Sequence, residues 1–222
     1  LMRFGKVFQQ TYTRFLDLQK AEAQAREAQI EAALEKVLAR TMGMQKSDEL
    51  AEVAVELFEQ ISLLTSIPSR FNVAIVNESD RVFDVWLTDV KGHILKELFV
   101  MDVEKSEVIA ELFNAWKNKK KYLIQHLTGE HLDKWVEYAN EDVGIPFDKS
   151  AIQADRYINS ILFKQGFIGI TTDQIPDDSV LEILERFTHV FEQTYTRFLD
   201  LKNSEAQARE AKIETALEKV RS

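Results

Sequence analysis

Apolar residues in the first 39 positions recur at three- and four-residue intervals. Phe8, Phe15 and Leu18 form one run, with Thr11 between the first two, and Ile30, Leu34 and Val37 form another. No proline interrupts this stretch and Gly5 is its only glycine, so one continuous helix is expected. A stripe this narrow matches a two-stranded coiled-coil seam. The same pattern returns near the other end as Phe191, Phe198 and Leu201, with Thr194 between the first two, followed by Ile213, Leu217 and Val220. Residues 1–39 and 184–222 are in fact one sequence written twice. The offset is a constant 183, there are no gaps, and 28 of 39 positions are identical. Between the two runs of the first copy, residues 19–29 (QKAEAQAREAQ) hold nothing apolar larger than alanine. Such a stretch favours helix but has little to pack, which suits a two-state change of register or a solvated spacer equally. The copies read as connectors in a tandem array, each entering or leaving a globular unit. The second copy stops at Ser222 where its twin continues into Thr41, Met42 and Gly43, the pattern expected of a piece cut from a longer protein.

The 144 residues between the copies, 40–183, are patterned differently. Ser47 is placed to cap a helix carrying Leu50, Val53, Leu57, Ile61 and Leu64, which Pro68 should close. FNVAIVN (71–77) and RVFDVWLTD (81–89) alternate like strands of a hairpin, and ILKELFVMD (94–102) predicts a third strand after a turn at Lys91, Gly92 and His93. Ser106 should cap a second helix with Val108, Ile109, Leu112, Phe113 and Trp116 on its apolar face. A strand (121–128), a short helix (130–140) and a loop-like stretch (141–151) follow. RYINSILF (156–163) and FIGITT (167–172) flank the turn Lys164-Gln165-Gly166 as a hairpin, and Pro176, Asp177 and Asp178 open the last helix. Helix, three strands, helix, strand, helix, hairpin and long helix make an α+β fold with a mostly antiparallel sheet of about six strands. The expected division is a connector helix over 1–42, a globular domain over 43–190 and a second connector over 191–222.

Composition narrows the chemistry. The chain has no cysteine, which removes disulfides, thiolate metal sites and thiol nucleophiles. Its net charge of −9 argues against a nucleic-acid surface, and no run approaches the roughly 18 apolar residues of a membrane span. The four histidines, His93, His126, His131 and His189, form no metal-binding pair, and no GxSxG, SxxK or phosphate-binding glycine loop is present. No catalytic residue, metal or cofactor is therefore expected. The basic cluster Lys117–Lys121 sits at a helix C-terminus, where cations complement the dipole.

The order of elements, the FKQGFIGITTD hairpin (163–173) and the long last helix resemble a GAF domain over roughly residues 45–190. The AEAQAREAQIEAALEKV segment (21–37) is similar to connectors that precede GAF domains in bacterial multidomain sensor proteins. The resemblance implies a six-stranded antiparallel sheet, with entering and leaving helices on one face and a ligand cavity on the other beneath the helices from 106 to 140. It also implies a side-by-side homodimer. Two branches of the family are not supported. Asn118-Lys119 matches the start of a cyclic-nucleotide motif, but Phe147 is followed at the required positions by Ala151 and Ile152. Bilin-attaching and methionine-sulfoxide-reducing members need a cysteine.

The expectation for function is a cytoplasmic small-ligand sensor that dimerises and relays a signal through its helices to an output domain outside these residues, a kinase or cyclase. A ligand-free spacer is the alternative. Alternation along 82–87 puts Val82, Asp84 and Trp86 on one sheet face and Phe83, Val85 and Leu87 on the other. The candidate cavity residues are Asp84, Trp86, Phe99, Trp116, Trp135 and Tyr138. The candidate dimer seam is Phe8, Phe15, Leu18, Ile30, Leu34, Val37, Phe191, Phe198, Leu201, Ile213, Leu217 and Val220. Partners other than a second copy and an unidentified small molecule are not expected.

Overall fold

The proline-free repeats fold as predicted into the two longest elements, α1 (Met2–Met42) and α5 (Asp178–Arg221). The structure, a computed structural model, describes residues 2–44, 49–65, 70–89, 91, 93, 95, 98–147 and 155–221. Between the long helices lie α2 (Leu50–Leu64), β1 (Arg70–Asn77), β2 (Val82–Leu87), β3 (Phe99–Asp102), α3 (Glu107–Lys117), β4 (Tyr122–Thr128), α4 (Gly129–Glu137), a π-helical turn (Tyr138–Asp142), β5 (Asp155–Phe163) and β6 (Gly166–Thr172). The six strands form one antiparallel sheet in the order β3-β2-β1-β6-β5-β4. Helices cover both faces, as an α+β sheet with two apolar sides requires.

One face packs on α2, the second half of α1 and the first half of α5. Phe71, Val73, Trp86, Ile168 and Ile170 of the sheet meet Ile30, Val37, Leu57, Phe187 and Phe191 there. Every described side chain from Phe8 to Gln29 is exposed, whereas Ile30, Ala33, Val37 and Thr41 are buried. Arg186 is ion-paired to Glu27 at 2.8 Å and to Glu31 at 3.2 Å. These facts together require α5 to run beside residues 30–42 of α1 in the same direction. The helix α2 returns antiparallel to α1, with Arg40 paired to Glu52 at one end and Arg26 Nη2 donating to the Leu64 carbonyl at the other.

The hairpin between β5 and β6 is fixed by a close approach. A Cβ at Gly166 would lie 1.9 Å from the Ala74 carbonyl oxygen, so only glycine allows β6 to join β1 here. The peptide of Lys164 at its tip is bonded on both sides. Its N–H donates to Glu192 of α5 at 2.9 Å and its carbonyl accepts from Trp116 Nε1 of α3 at 3.2 Å.

Several predicted boundaries are corrected. Of the described residues in the predicted third strand, 99–102 are strand while 95 and 98 are not; Leu95 still donates to the Leu87 carbonyl at 3.1 Å, outside the regular ladder. Ser106 stands at the N-cap of α3 in extended conformation without a side-chain capping bond. The helix predicted over 130–140 divides into α4 and the π-helical turn. The roles predicted for Ser47, Pro68 and Gly92 fall outside the described residues.

The coiled-coil seam is also redistributed. Ile30, Val37, Phe191 and Phe198 are buried within the chain's own core, so a partner chain has no access to them. Leu34 is partly buried against the same core. Phe8, Phe15, Leu18, Leu201, Ile213 and Leu217 are exposed, and the side chain of Val220 lies outside those described. The physical reason is that a three-and-four stripe fits a sheet-backed helical layer as well as it fits a second coiled-coil strand.

Candidate functional site

The second face of the sheet is incompletely filled. Helices α3 and α4 arch over it, and Ile145, Pro146 and Phe147 close one side, leaving a cavity of about 610 Å³. The floor comes from alternate strand positions: Arg70 and Asn72 of β1, Val85 and Leu87 of β2, Met101 of β3, Gln125 of β4, Arg156 and Ile158 of β5, and Phe167 and Thr171 of β6. The roof is Val108, Ile109 and Leu112 of α3 with Leu132, Trp135 and Val136 of α4. The wall is thus mainly aliphatic and aromatic, with polar groups concentrated on the sheet. Its volume lies within the range of roughly 300–1,000 Å³ usual for small-molecule sites.

Two arginines define its electrostatics. Arg70 lies with its guanidinium 4.3 Å from the centre of the Phe147 ring, and its Nη2 donates to the Pro146 carbonyl. Burial lowers its pKa below the ordinary arginine value; Asp89 opposes that effect and Arg156 adds to it. Burial also lowers the pKa of Arg156, which is ion-paired to Asp173. Asp89 is committed to a turn, accepting from the backbone N–H of Lys91 at 2.8 Å and of His93 at 2.9 Å. Its pKa is subject to desolvation that raises it, yet these bonds, with the His93 ring, hold it below the usual carboxylate range.

Three buried polar atoms in the lining have no hydrogen-bond partner among the described residues: Arg70 Nη1, Asn72 Oδ1 and Gln125 Oε1. The Gln125 amide nitrogen, in contrast, is satisfied by the Val108 carbonyl at 3.0 Å and Glu111 at 2.8 Å. Gly169 opposite Asn72 is what makes room for the Asn72 carboxamide, since a Cβ there would fall 2.6 Å from Oδ1. Buried polar atoms left unmatched cost about 1–3 kcal/mol each, so a ligand that supplies their partners recovers that energy. Among the described residues, no group of three or more His, Asp or Glu converges to hold a metal ion, and no helix is long and apolar enough to cross a membrane.

No family model matches the chain, and no curated protein matches it. Among solved structures, the chain is similar to the crystal structure of the GAF domain from Acinetobacter phosphoenolpyruvate-protein phosphotransferase. The two are 7% identical, with a TM-score of 0.47, over 75% of this chain and 92% of that one.

Of the six cavity residues expected from the sequence, Trp135 lines the cavity. Tyr138 packs beside it, 6.0 Å ring to ring, but its hydroxyl is turned to β3, where it accepts from the Asp102 N–H at 2.8 Å. Phe99 belongs to the core on the cavity side of the sheet without reaching the cavity. Trp116 packs on Phe113 at 5.6 Å and donates to Lys164. Asp84 and Trp86 lie on the opposite face. Trp86, paired in register with Val73, is buried in the layer formed by α1, α2 and α5. The alternation along β2 is as predicted, but the set chosen for the cavity is the wrong one; Val85 and Leu87 face it.

Sequence reasoning missed Arg70, Asn72, Gln125 and Arg156. A signal existed in the two arginines, each standing at the start of a strand-like run where alternation places it on one sheet face. A charged residue in such a position needs a reason to be there.

Proposed function

We propose that this chain is a GAF-like regulatory module that senses a small organic anion with an apolar body. Arg70 Nη1 would donate to its carboxylate, and Asn72 Oδ1 would accept from a hydroxyl or amine carried beside that carboxylate, with Arg156 adding positive potential. Trp135, Phe147 and the aliphatic residues of α3 and α4 would enclose the remainder. The single observation that carries the reading is the open, mainly apolar cavity with a buried guanidinium nitrogen that has no hydrogen-bond partner among the described residues. It also favours sensing over the spacer alternative, for which a filled interior would be expected. Relay would pass from α3 to α5 and along the connector helix to an output domain, in the manner of bacterial multidomain sensors.

The test is a thermal-shift and calorimetric screen of aliphatic and aromatic carboxylates against their neutral amides. Acids should raise the melting temperature and amides of the same shape should not. Arg70→Met should weaken acid binding by about 10–100-fold, the worth of a charged hydrogen bond. Amides that bind as tightly as acids would overturn the anion assignment, and a panel with no binder would favour the spacer.

Homodimerisation through the connector helices is the second part of the proposal. Leu16 and Leu38 of α1 and Leu63 of α2 are exposed and available for it. Sedimentation at micromolar concentration should then give about twice 25.7 kDa. A strict monomer would refute the pairing.

A further inference from the structure

The repeat and the burial pattern combine into something neither gives alone. In α5, Phe191, Tyr195 and Phe198 are buried against the sheet, α1 and α2, while Ile213 and Leu217 further along are exposed. In α1 the situation is reversed. The equivalents Phe8, Tyr12 and Phe15 are exposed, and the equivalents of Ile213, Ala216 and Leu217, namely Ile30, Ala33 and Leu34, pack into the core. Each copy of the connector therefore contains two complete packing faces, and this chain uses one face in each. At 100° per residue, Phe8, Tyr12, Phe15, Ile30, Ala33 and Val37 all lie within about 30° of one line along the helix.

The polar contacts are duplicated as well. Arg186, which clasps Glu27 and Glu31, is repeated as Arg3; Glu27 and Glu31 are repeated as Glu210 and Glu214. An isolated helical spacer would have no use for either the aromatic stripe or this ion-pair set.

We infer that the exposed faces are docking surfaces for further units of this same fold, strung on a shared helix. The first half of a connector closes one unit as its leaving helix, and the second half opens the next as its entering helix. The exposed Ile213–Leu217 face of α5 is the seat of a following unit, and Phe8, Tyr12 and Phe15 seat on a preceding one. Position 186 lies beside 27–31 and is itself position 3 of the repeat, so successive units would be displaced by about 26 residues of helix, roughly 39 Å. This inference is independent of the ligand reading, because it uses none of the cavity residues.

A doubled chain tests it: residues 1–222 followed directly by 40–222, so that α5 takes the place of α1 for a second unit. The doubled chain should melt as two cooperatively folded units. Amide exchange over residues 210–217 should slow by about tenfold or more relative to the 222-residue chain. Ile213→Asp should abolish folding of the second unit and leave the melting temperature and mass of the 222-residue chain unchanged. The control Lys212→Asp, whose twin Gln29 is exposed, should leave both units of the doubled chain folded and the 222-residue chain unchanged. A second unit that does not fold, or that folds with Ile213→Asp in place, overturns the inference. So does dissociation of a dimer of the 222-residue chain by Ile213→Asp, which would assign that face to pairing between chains instead.

Discussion

The same phenylalanine in the same local sequence stands twice in this chain, once in the core and once in water. Phe191 is fully buried, and its ring meets Phe163 at 5.5 Å and Tyr195 at 5.5 Å. Phe8 is 73% exposed, with its ring stacked on Tyr12 of the same helix at 6.3 Å. The flanking residues Val7 and Thr11 match Val190 and Thr194, so helix propensity changes equally when either ring is removed. Phe191→Ala should destabilise by about 3–5 kcal/mol, the usual cost of a core phenylalanine with its cavity. Phe8→Ala should fall within about 0.5 kcal/mol of the parent. For a chain of this length that is on the order of 10 °C of melting temperature against about 1–2 °C. Urea unfolding followed by circular dichroism reads both, and the unchanged slope with denaturant confirms that the same surface is being exposed. Equal losses at the two positions would refute the reasoning, because they would mean that the first half of α1 is packed in the free chain. A small loss at both would mean that the first half of α5 is not held against the sheet.

Gly166→Ala should lower stability by several kcal/mol or prevent folding, since its Cβ meets backbone and not a flexible side chain; expression and thermal melting check this. Asp84→Asn should be stabilising at pH 7 and neutral near pH 3. Burial raises the Asp84 pKa above its ordinary 3.8, with Asp80 adding to the effect, so the folded state prefers the protonated acid and loses stability as pH rises through that raised value. Denaturant titrations at the two pH values measure it, and a larger effect at pH 3 would contradict the sign. Truncating Trp116 to Phe should leave Phe113 packing in place but release the Lys164 carbonyl, lowering stability by about 1 kcal/mol.

The strands and both long helices were legible because each rests on local pattern. Alternation marked β1, β2, β5 and β6, and the scarcity of proline and glycine marked α1 and α5. The cavity was not. Alternation divides β2 into two sets but does not say which one meets an empty space, and Asp84 drew attention as the polar member. Its half-exposed place opposite Val100, itself exposed on the edge strand, already explains a carboxylate. The buried members of the predicted seam, Ile30, Val37, Phe191 and Phe198, were illegible for a different reason. Phe8 and Phe15 are repeated with the same residues and spacing in Phe191 and Phe198, so no property of those residues could separate the exposed copy from the buried one. What separates them is the sheet that lies beside one and not the other.

The doubly bonded peptide at position 164 gives the molecule an unusual freedom. The cavity roof, through Trp116, and the leaving helix, through Glu192, are joined there by main-chain atoms alone. The lysine side chain takes no part in those two bonds, so this linkage between α3 and α5 is indifferent to which residue occupies the site. Proline alone would sever it, by removing the donor N–H. A linkage of this kind leaves no residue signature at its own position, and it can be broken there without altering the residues of either the roof or the helix.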